Sequence, residues 1–275
     1  MPDSAPIEFL EAEAWAQRVE ALPAQLKERL GTRVRRFGRA VALATPGADA
    51  AAINRILGLG FDRPLDDALL AHVNAFYRET GVPRWVVECS PRATIRGGAQ
   101  TLIAQGGVLR TPTVKLVGEI ANITPFSSTG GVSVAEVDPK AADIFRSIVA
   151  AAYAMPEMVE QDLVSTLGHT GWHYYVAFDD GQPIAGAAMY VERDAAWFGL
   201  AGTSSDARNR GAQTALIARR AADARKLGCS WATAETWPDT ADRPNPSYRN
   251  MLRAGFTVAY FRDKYVFERA PNSPI

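Results

Sequence analysis

The chain has 275 residues, enough for one large domain or two modest ones, and either can bury a core. Its 30 basic and 30 acidic residues and 47% hydrophobic composition exclude an extended disordered chain, and with no charged pole in either half they argue against nucleic acid as a partner. Only two cysteines are present, no stretch approaches the roughly 18 apolar residues of a membrane span, and Met1-Pro2-Asp3-Ser4 begins no basic-then-apolar leader, so a cytoplasmic protein without a membrane partner is expected.

Glu8 to Leu30 reads as a helix kinked near Pro23, with Leu10, Ala14, Val19, Leu22, Leu26 and Leu30 on one side. Arg33, Arg35, Arg36 and Arg39 form a basic cluster expected to be solvated. Phe37 to Ala44 predicts a strand, and Asn54-Arg55 with the following Leu57-Gly58-Leu59-Gly60 an ordered loop. Asp66 to Tyr77 predicts a helix, Trp85 to Glu88 a strand, Ile95 to Ala104 a weak helix and Val108 to Val117 a strand or hairpin. Asn122 to Gly131, rich in Thr, Ser and Gly, is the expected linker, dividing a domain at 1–125 from one at 131–275.

The second half predicts a strand at Val132 to Val137, a helix capped by Asp138-Pro139 and a second helix begun by Pro156. Three strands follow, at Trp172 to Phe178, Pro183 to Val191 and Ala196 to Thr203. A long helix over Gly211 to Leu227 is closed by Gly228. Trp231 to Trp237 is a strand, Pro246 to Ala254 a helix and Thr257 to Phe267 a strand pair.

Between the third of those strands and the long helix lies Arg208-Asn209-Arg210-Gly211-Ala212-Gln213. Free backbone N–H groups, the positive end of a helix dipole and two arginines all favour an anion there, although a solvated cap would read the same way. Together with the element order β-α-α-β-β-β-α-β-α-β-β and the close Ala254-Gly255-Phe256, this loop makes residues 131 to 269 resemble the GNAT superfamily of acyl-CoA-dependent N-acyltransferases. The family loop reads Arg/Gln-x-x-Gly-x-Gly/Ala, so Arg208 and Gly211 match and Gln213 departs, adding a side chain that could bond to the phosphates or narrow the loop. Asn245, Ser247 and Asn250 also look like the family's last-helix motif.

The resemblance implies an α+β fold with a mixed, largely antiparallel sheet flanked by helices. It implies acetyl-CoA as co-substrate and direct transfer of an acetyl group to a primary amine, carried by a small molecule, amino acid or peptide, in a ternary complex. Ala201, Gly202 and Thr203 then fall where the family's strand bulges and a backbone N–H polarises the thioester; Gly202 would make such a bulge inexpensive. With Arg208 to Gln213, Ser247 and Asn250 they complete the expected cofactor set. The family tyrosine that protonates the leaving sulfur is replaced by Met251, expected to fill the core; Tyr248, one turn earlier, could substitute. Glu235 is the candidate base, on the strand face opposite Ala232, Ala234 and Thr236, with ammonium orientation or pairing with an arginine as its other roles.

His169 and His173 have helical metal-ligand spacing, but Gly168 and Gly171 interrupt any helix, so no metal site is expected. The first half reads as a degenerate copy of the same fold, with Gln105-Gly106-Gly107-Val108 where the second has Arg253-Ala254-Gly255-Phe256, but no Arg-x-x-Gly loop before Asp66. A catalytic second copy is therefore expected. The rival readings are a non-catalytic acyl-CoA-binding regulator and a transferase using charged tRNA; oligomeric state is left open.

Overall fold

A computed structural model describes residues 4–48, 53–124 and 131–269. The chain divides into two compact units, Met1–Thr113 with Tyr260–Ile275, and Val114–Ala259. Most of the expected linker, at 125–130, lies outside the described residues.

The first unit opens with α1 (Ser4–Glu20) and α2 (Ala24–Leu30). Pro23 separates them as the N-cap of α2, because a proline ring is tolerated at a helix start and not within it. The expected strand over 37–44 is instead an antiparallel hairpin of β1 (Arg33–Phe37) and β2 (Ala40–Ala44). The basic cluster hid β1: Arg36 pairs with Glu13 and Glu20 of α1, while Arg35, on the opposite face of the strand, pairs with Glu79. After β3 (Arg55–Leu57), where a loop was expected, come α3 (Asp67–Thr80), β4 (Arg84–Cys89), α4 (Pro91–Thr94), α5 (Gly98–Ala104) and β5 (Val108–Glu119). Leu69, Leu70, Val73, Phe76 and Tyr77 of α3 share a core with Ala42, Ile56, Trp85 and Val87.

The second unit contains the end of β5, then β6 (Ser133–Glu136), α6 (Ala142–Tyr153), β7 (Trp172–Asp179), β8 (Gln182–Glu192) and β9 (Ala195–Thr203). It continues through α7 (Ala212–Lys226), β10 (Trp231–Thr236), α8 (Pro246–Arg253) and the start of β11 (Thr257–Glu268). The segment after Pro156 is a 3-10 run, Glu157–Leu163, rather than an α-helix. The expected closing strand pair is one continuous strand, β11, since no Gly, Pro or Asn interrupts Thr257 to Glu268 to turn the chain.

Strand order is β1-β2-β3-β4-β11 in the first unit and β5-β10-β9-β8-β7-β6 in the second. Among the described residues β3 with β4 and β10 with β9 run parallel and the other neighbours within each unit antiparallel, so each sheet is mixed and largely antiparallel, as expected. In the second unit Leu216, Ile217, Ala221 and Ala224 of α7 lie on Ala185, Ala187, Met189, Ala232 and Ala234; small strand residues let the helix approach closely.

The two closing helix-to-strand turns repeat one another. Gly106 and Gly255 both take positive φ and donate three residues back, to Ile103 and Leu252, while Gly107 and Phe256 donate five back, to Leu102 and Met251. Gly106, not Gly107, is thus the counterpart of Gly255. On that register Lys115, Val117 and Glu119 of β5 recur as Lys264, Val266 and Glu268 of β11.

Candidate active site

Parallel strands β9 and β10 share rungs from Ala195 opposite Trp231 to Phe198 opposite Ala234. Beyond that point, among the described residues, β9 pairs with β8 and β10 with β5, where Glu235 faces Lys115 and Thr236 faces Val114. The carboxyl ends of the two strands therefore present backbone groups toward each other without shared rungs among the described residues. Crevices of this kind, at the carboxyl ends of neighbouring parallel strands, are where mixed sheets bind ligands.

A bulge shapes the β9 side. Gly202 pairs with Gly186 and Gly199 with Ala188, so Leu200 and Ala201 together face Ala187. The bulge starts one residue before the expected Ala201 to Thr203, and the left-handed residue is Leu200, at φ 51°, not Gly202. Gly202 is needed for a different reason: a Cβ there would lie 2.8 Å from Ala152 Cβ and 3.2 Å from Val149 Cα, so its absence lets α6 close on β9. From the end of α6, the Tyr153 hydroxyl donates to the Ala201 carbonyl at 2.9 Å.

After Thr203 the chain makes a short 3-10 turn, Ser205–Ala207, and then bends through Asn209 and Gly211, both at positive φ, into α7. Gly211 is the N-cap and no side chain caps the helix, which leaves the first-turn N–H groups to an external acceptor. Arg208 and Asn209 are exposed, and Arg210 is held to Asp179 at 3.1 Å and to the Asp206 carbonyl at 3.1 Å. Ala212 is buried beneath the turn. An uncapped helix start behind two arginines fits an anionic pyrophosphate.

Gln213 leaves that cradle open. Its amide donates to Ser247 Oγ at 2.6 Å and its carbonyl oxygen accepts from Asn250 Nδ2 at 2.7 Å, so the side chain staples α7 to α8. The departure from the family loop therefore orders two other expected cofactor residues rather than narrowing the turn. Asn245, the N-cap of α8, ties the start of the helix to the end of β10. Its carbonyl oxygen accepts from the Ser247 and Tyr248 N–H groups, and its amide reaches Thr236 Oγ1 at 2.9 Å and the Trp237 carbonyl at 2.6 Å.

Glu235 is half-buried and directly opposite Lys115, itself fully buried; side chains opposite one another in antiparallel strands share a face. Thr233, on that face, donates to the Leu116 carbonyl at 3.0 Å. Tyr248 is half-buried against the core of the second unit, and Met251 belongs to that core, as expected from its chemistry. His173 lies on β7 and its Nδ1 meets Glu136 at 2.8 Å, so the helical spacing read from His169 and His173 does not arise.

Sequence reasoning missed Lys115, Tyr153 and Arg220. Arg220 occupies the inward stripe 216, 217, 220, 221, 224 of α7, and a charged residue on an apolar stripe was the signal available. Tyr153 and Lys115 carried no comparable mark.

Residues 142–256 match the family model described as the acetyltransferase (GNAT) family. The fold is similar to that of a GCN5-related N-acetyltransferase from Kribbella flavida, at 19% identity and TM-score 0.64, over 94% of this chain and 95% of that one. It is similar to a tandem GNAT protein from the clavulanic acid biosynthesis pathway, at 16% identity and TM-score 0.61, over 99% and 97% of the two chains. A GCN5-related N-acetyltransferase from Sphaerobacter thermophilus matches at 15% identity and TM-score 0.60, over 86% and 82%. No curated protein sequence matches the chain. The length shared with a tandem protein agrees with the two units and their repeated closing turns. Among the described residues no helix is long and apolar enough to cross a membrane.

Proposed function

We propose that this chain, whose residues 142–256 form a domain of the acetyltransferase (GNAT) family, is an acetyl-CoA-dependent N-acetyltransferase acting on a primary amine. The second unit is the catalytic copy and the first a degenerate one. What carries the reading is the uncapped start of α7 behind Arg208 to Gly211, beside the ends of β9 and β10. Acetyl-CoA, when bound, supplies an acetyl group already activated as a thioester.

In this reading the N–H groups of Arg208 to Gln213 and the two arginines hold the pyrophosphate. Ser247 and Asn250, set by Gln213, contact the cofactor from α8. The bulged edge at Ala201, Gly202 and Thr203 receives the thioester, and a backbone N–H there stabilises the negative charge that develops on its oxygen. The amine nitrogen of the acceptor attacks the carbonyl carbon directly, and the carbon–sulfur bond breaks. Glu235 accepts the proton lost by the amine, and Tyr248 donates one to the departing sulfur. A small molecule, an amino acid or a peptide can supply the amine, and the work takes place in the cytoplasm, a location supported by two buried free thiols, Cys89 and Cys229.

The test is a free-thiol assay with acetyl-CoA and a pooled panel of amines, amino acids and peptides. Amine-dependent thiol release is expected. Acetyl-CoA binding without release from any pool would favour a regulatory protein, and absence of binding would remove the assignment of the Arg208 to Gln213 turn.

A further inference from the structure

Helix α7 buries a guanidinium in the core of the catalytic unit. Arg220 is 2% exposed, yet its Nε donates to the Leu216 carbonyl at 3.1 Å and its Nη1 to the Ala188 carbonyl at 3.1 Å. Its Cζ lies 4.5 Å from the centre of the Phe198 ring. Burial lowers its pKa to about 10, which keeps it charged at neutral pH.

Both contacts fall at the bulge. Ala188 is the β8 residue on the rung next to it, opposite Gly199, and Phe198 is the last β9 residue with a partner on β10. A bulge breaks the regular ladder and leaves the flanking carbonyls in need of donors. Leu200 also holds a left-handed angle, which persists only where the surroundings over-determine it. A fork of rigid N–H donors over an aromatic face is suited to that task in a way that a lysine ammonium is not.

We infer that Arg220 is a positioning residue that locks the β9 bulge from the core side and keeps a positive charge behind the strand edge where the thioester oxygen gains negative charge. The second half of this inference rests on the acetyltransferase reading; the first half does not. In a site partly screened from water a fixed charge favours the transition state over the ground state, so it acts on turnover rather than on binding.

Two variants test it, Arg220→Met, which keeps the length and loses the charge, and Arg220→Lys, which keeps the charge and loses the fork. Hydrogen exchange on the ligand-free protein is measured first. Amides of 187–189 and 199–203 are expected to exchange at least tenfold faster in Arg220→Met, with those of 172–176 unchanged; unchanged exchange at the bulge, or uniform acceleration, would overturn the locking role. Kinetics follow. Arg220→Met is expected to lower kcat at least tenfold while leaving the acetyl-CoA Kd within threefold, and Arg220→Lys to recover part of kcat; equal losses in kcat and affinity, or no loss, would overturn the electrostatic role. Should the wild-type protein neither bind nor turn over acetyl-CoA, the functional reading and the electrostatic role fall together, and the exchange data alone still decide whether Arg220 holds the bulge.

Discussion

In the first unit α3 starts at Asp66, whose carboxylate accepts from the Leu69 N–H at 2.8 Å, and Asp67 adds a second acid to the first turn. In the second unit α7 starts at Gly211, with no side-chain cap and no acid in its first turn. The loops before them differ in the same sense. A Cβ on Gly60 would strike Ala93, and one on Gly58 would press on Phe9, so the first turn is packed against its own unit, whereas Arg208 and Asn209 are exposed. A helix start satisfied by its own carboxylates repels a phosphate, and one left open attracts it. On the acetyltransferase reading, the helix start proposed as an anion cradle is thus open in the second unit, while the corresponding start in the first is filled by its own carboxylate.

The strand after each helix shows a second contrast. Glu88 and Glu235 are each next to last in their strands, opposite Lys264 and Lys115 respectively. Glu88 is fully buried and also meets Arg55 at 3.0 Å and Arg262 at 2.7 Å, while Arg262 reaches Glu8 and Glu11 of α1. Burial alone would raise the Glu88 pKa, but Arg262, Arg55 and Lys264 outweigh it and hold the carboxyl well below the usual range. Such a group cannot take a proton near neutrality. Glu235 is half-buried, and so it remains the carboxylate of the pair that a substrate could approach.

The sharpest break of this contrast is Glu88→Gln, expected to cost about 3–5 kcal/mol by leaving buried cations without their carboxylate. The Glu88 pKa is depressed in the folded state, so its stabilisation is full above its unfolded pKa of about 4.3 and is lost as pH falls toward the folded value. Denaturation of wild type and variant should therefore differ widely at pH 7 and converge on acidification; parallel curves would contradict the assignment. Next in size, Gly211→Glu puts a carboxylate and a strained backbone into the open cradle, since φ there is 84°. A loss of acetyl-CoA affinity of about 100-fold or more, near 2.7 kcal/mol, is expected by calorimetry, with the melting of the first unit unchanged. Glu235→Gln should shift the pH profile of turnover, and Tyr248→Phe should lower kcat by about tenfold to 100-fold with little change in cofactor affinity. An unshifted profile would return Glu235 to a purely structural pairing with Lys115. The smallest effect belongs to Asp66→Ala, about 1 kcal/mol of stability from the lost cap, without creating a second cofactor site because Gly58 and Gly60 stay packed.

Most elements of the second unit were legible because its strands and helices carry one period each and its turns carry Gly, Pro or Asp, the exceptions being the 3-10 run after Pro156 and the undivided β11. The Arg208 to Gly211 turn was legible for the same reason. Beyond that, the signal ran out where tertiary contacts decide. β1 was hidden since arginines whose carboxylate partners lie far away in sequence look like a solvated run, and β11 was split in two although no Gly, Pro or Asn breaks it. Gly202 was noticed for the wrong cause: its missing Cβ serves helix packing, a contact with residues some fifty positions away. Gln213 looked like an intrusion into the cradle, and only the positions of Ser247 and Asn250 reveal it as a staple. Lys115 opposite Glu235 depends on strand pairing, which no spacing encodes.

The central claim is that one copy alone binds the thioester cofactor, and calorimetric titration of the full chain with acetyl-CoA tests it most directly. One site per chain in the wild type, and none in Gly211→Glu, is the predicted result. Two sites, or a single site that survives Gly211→Glu, would contradict it.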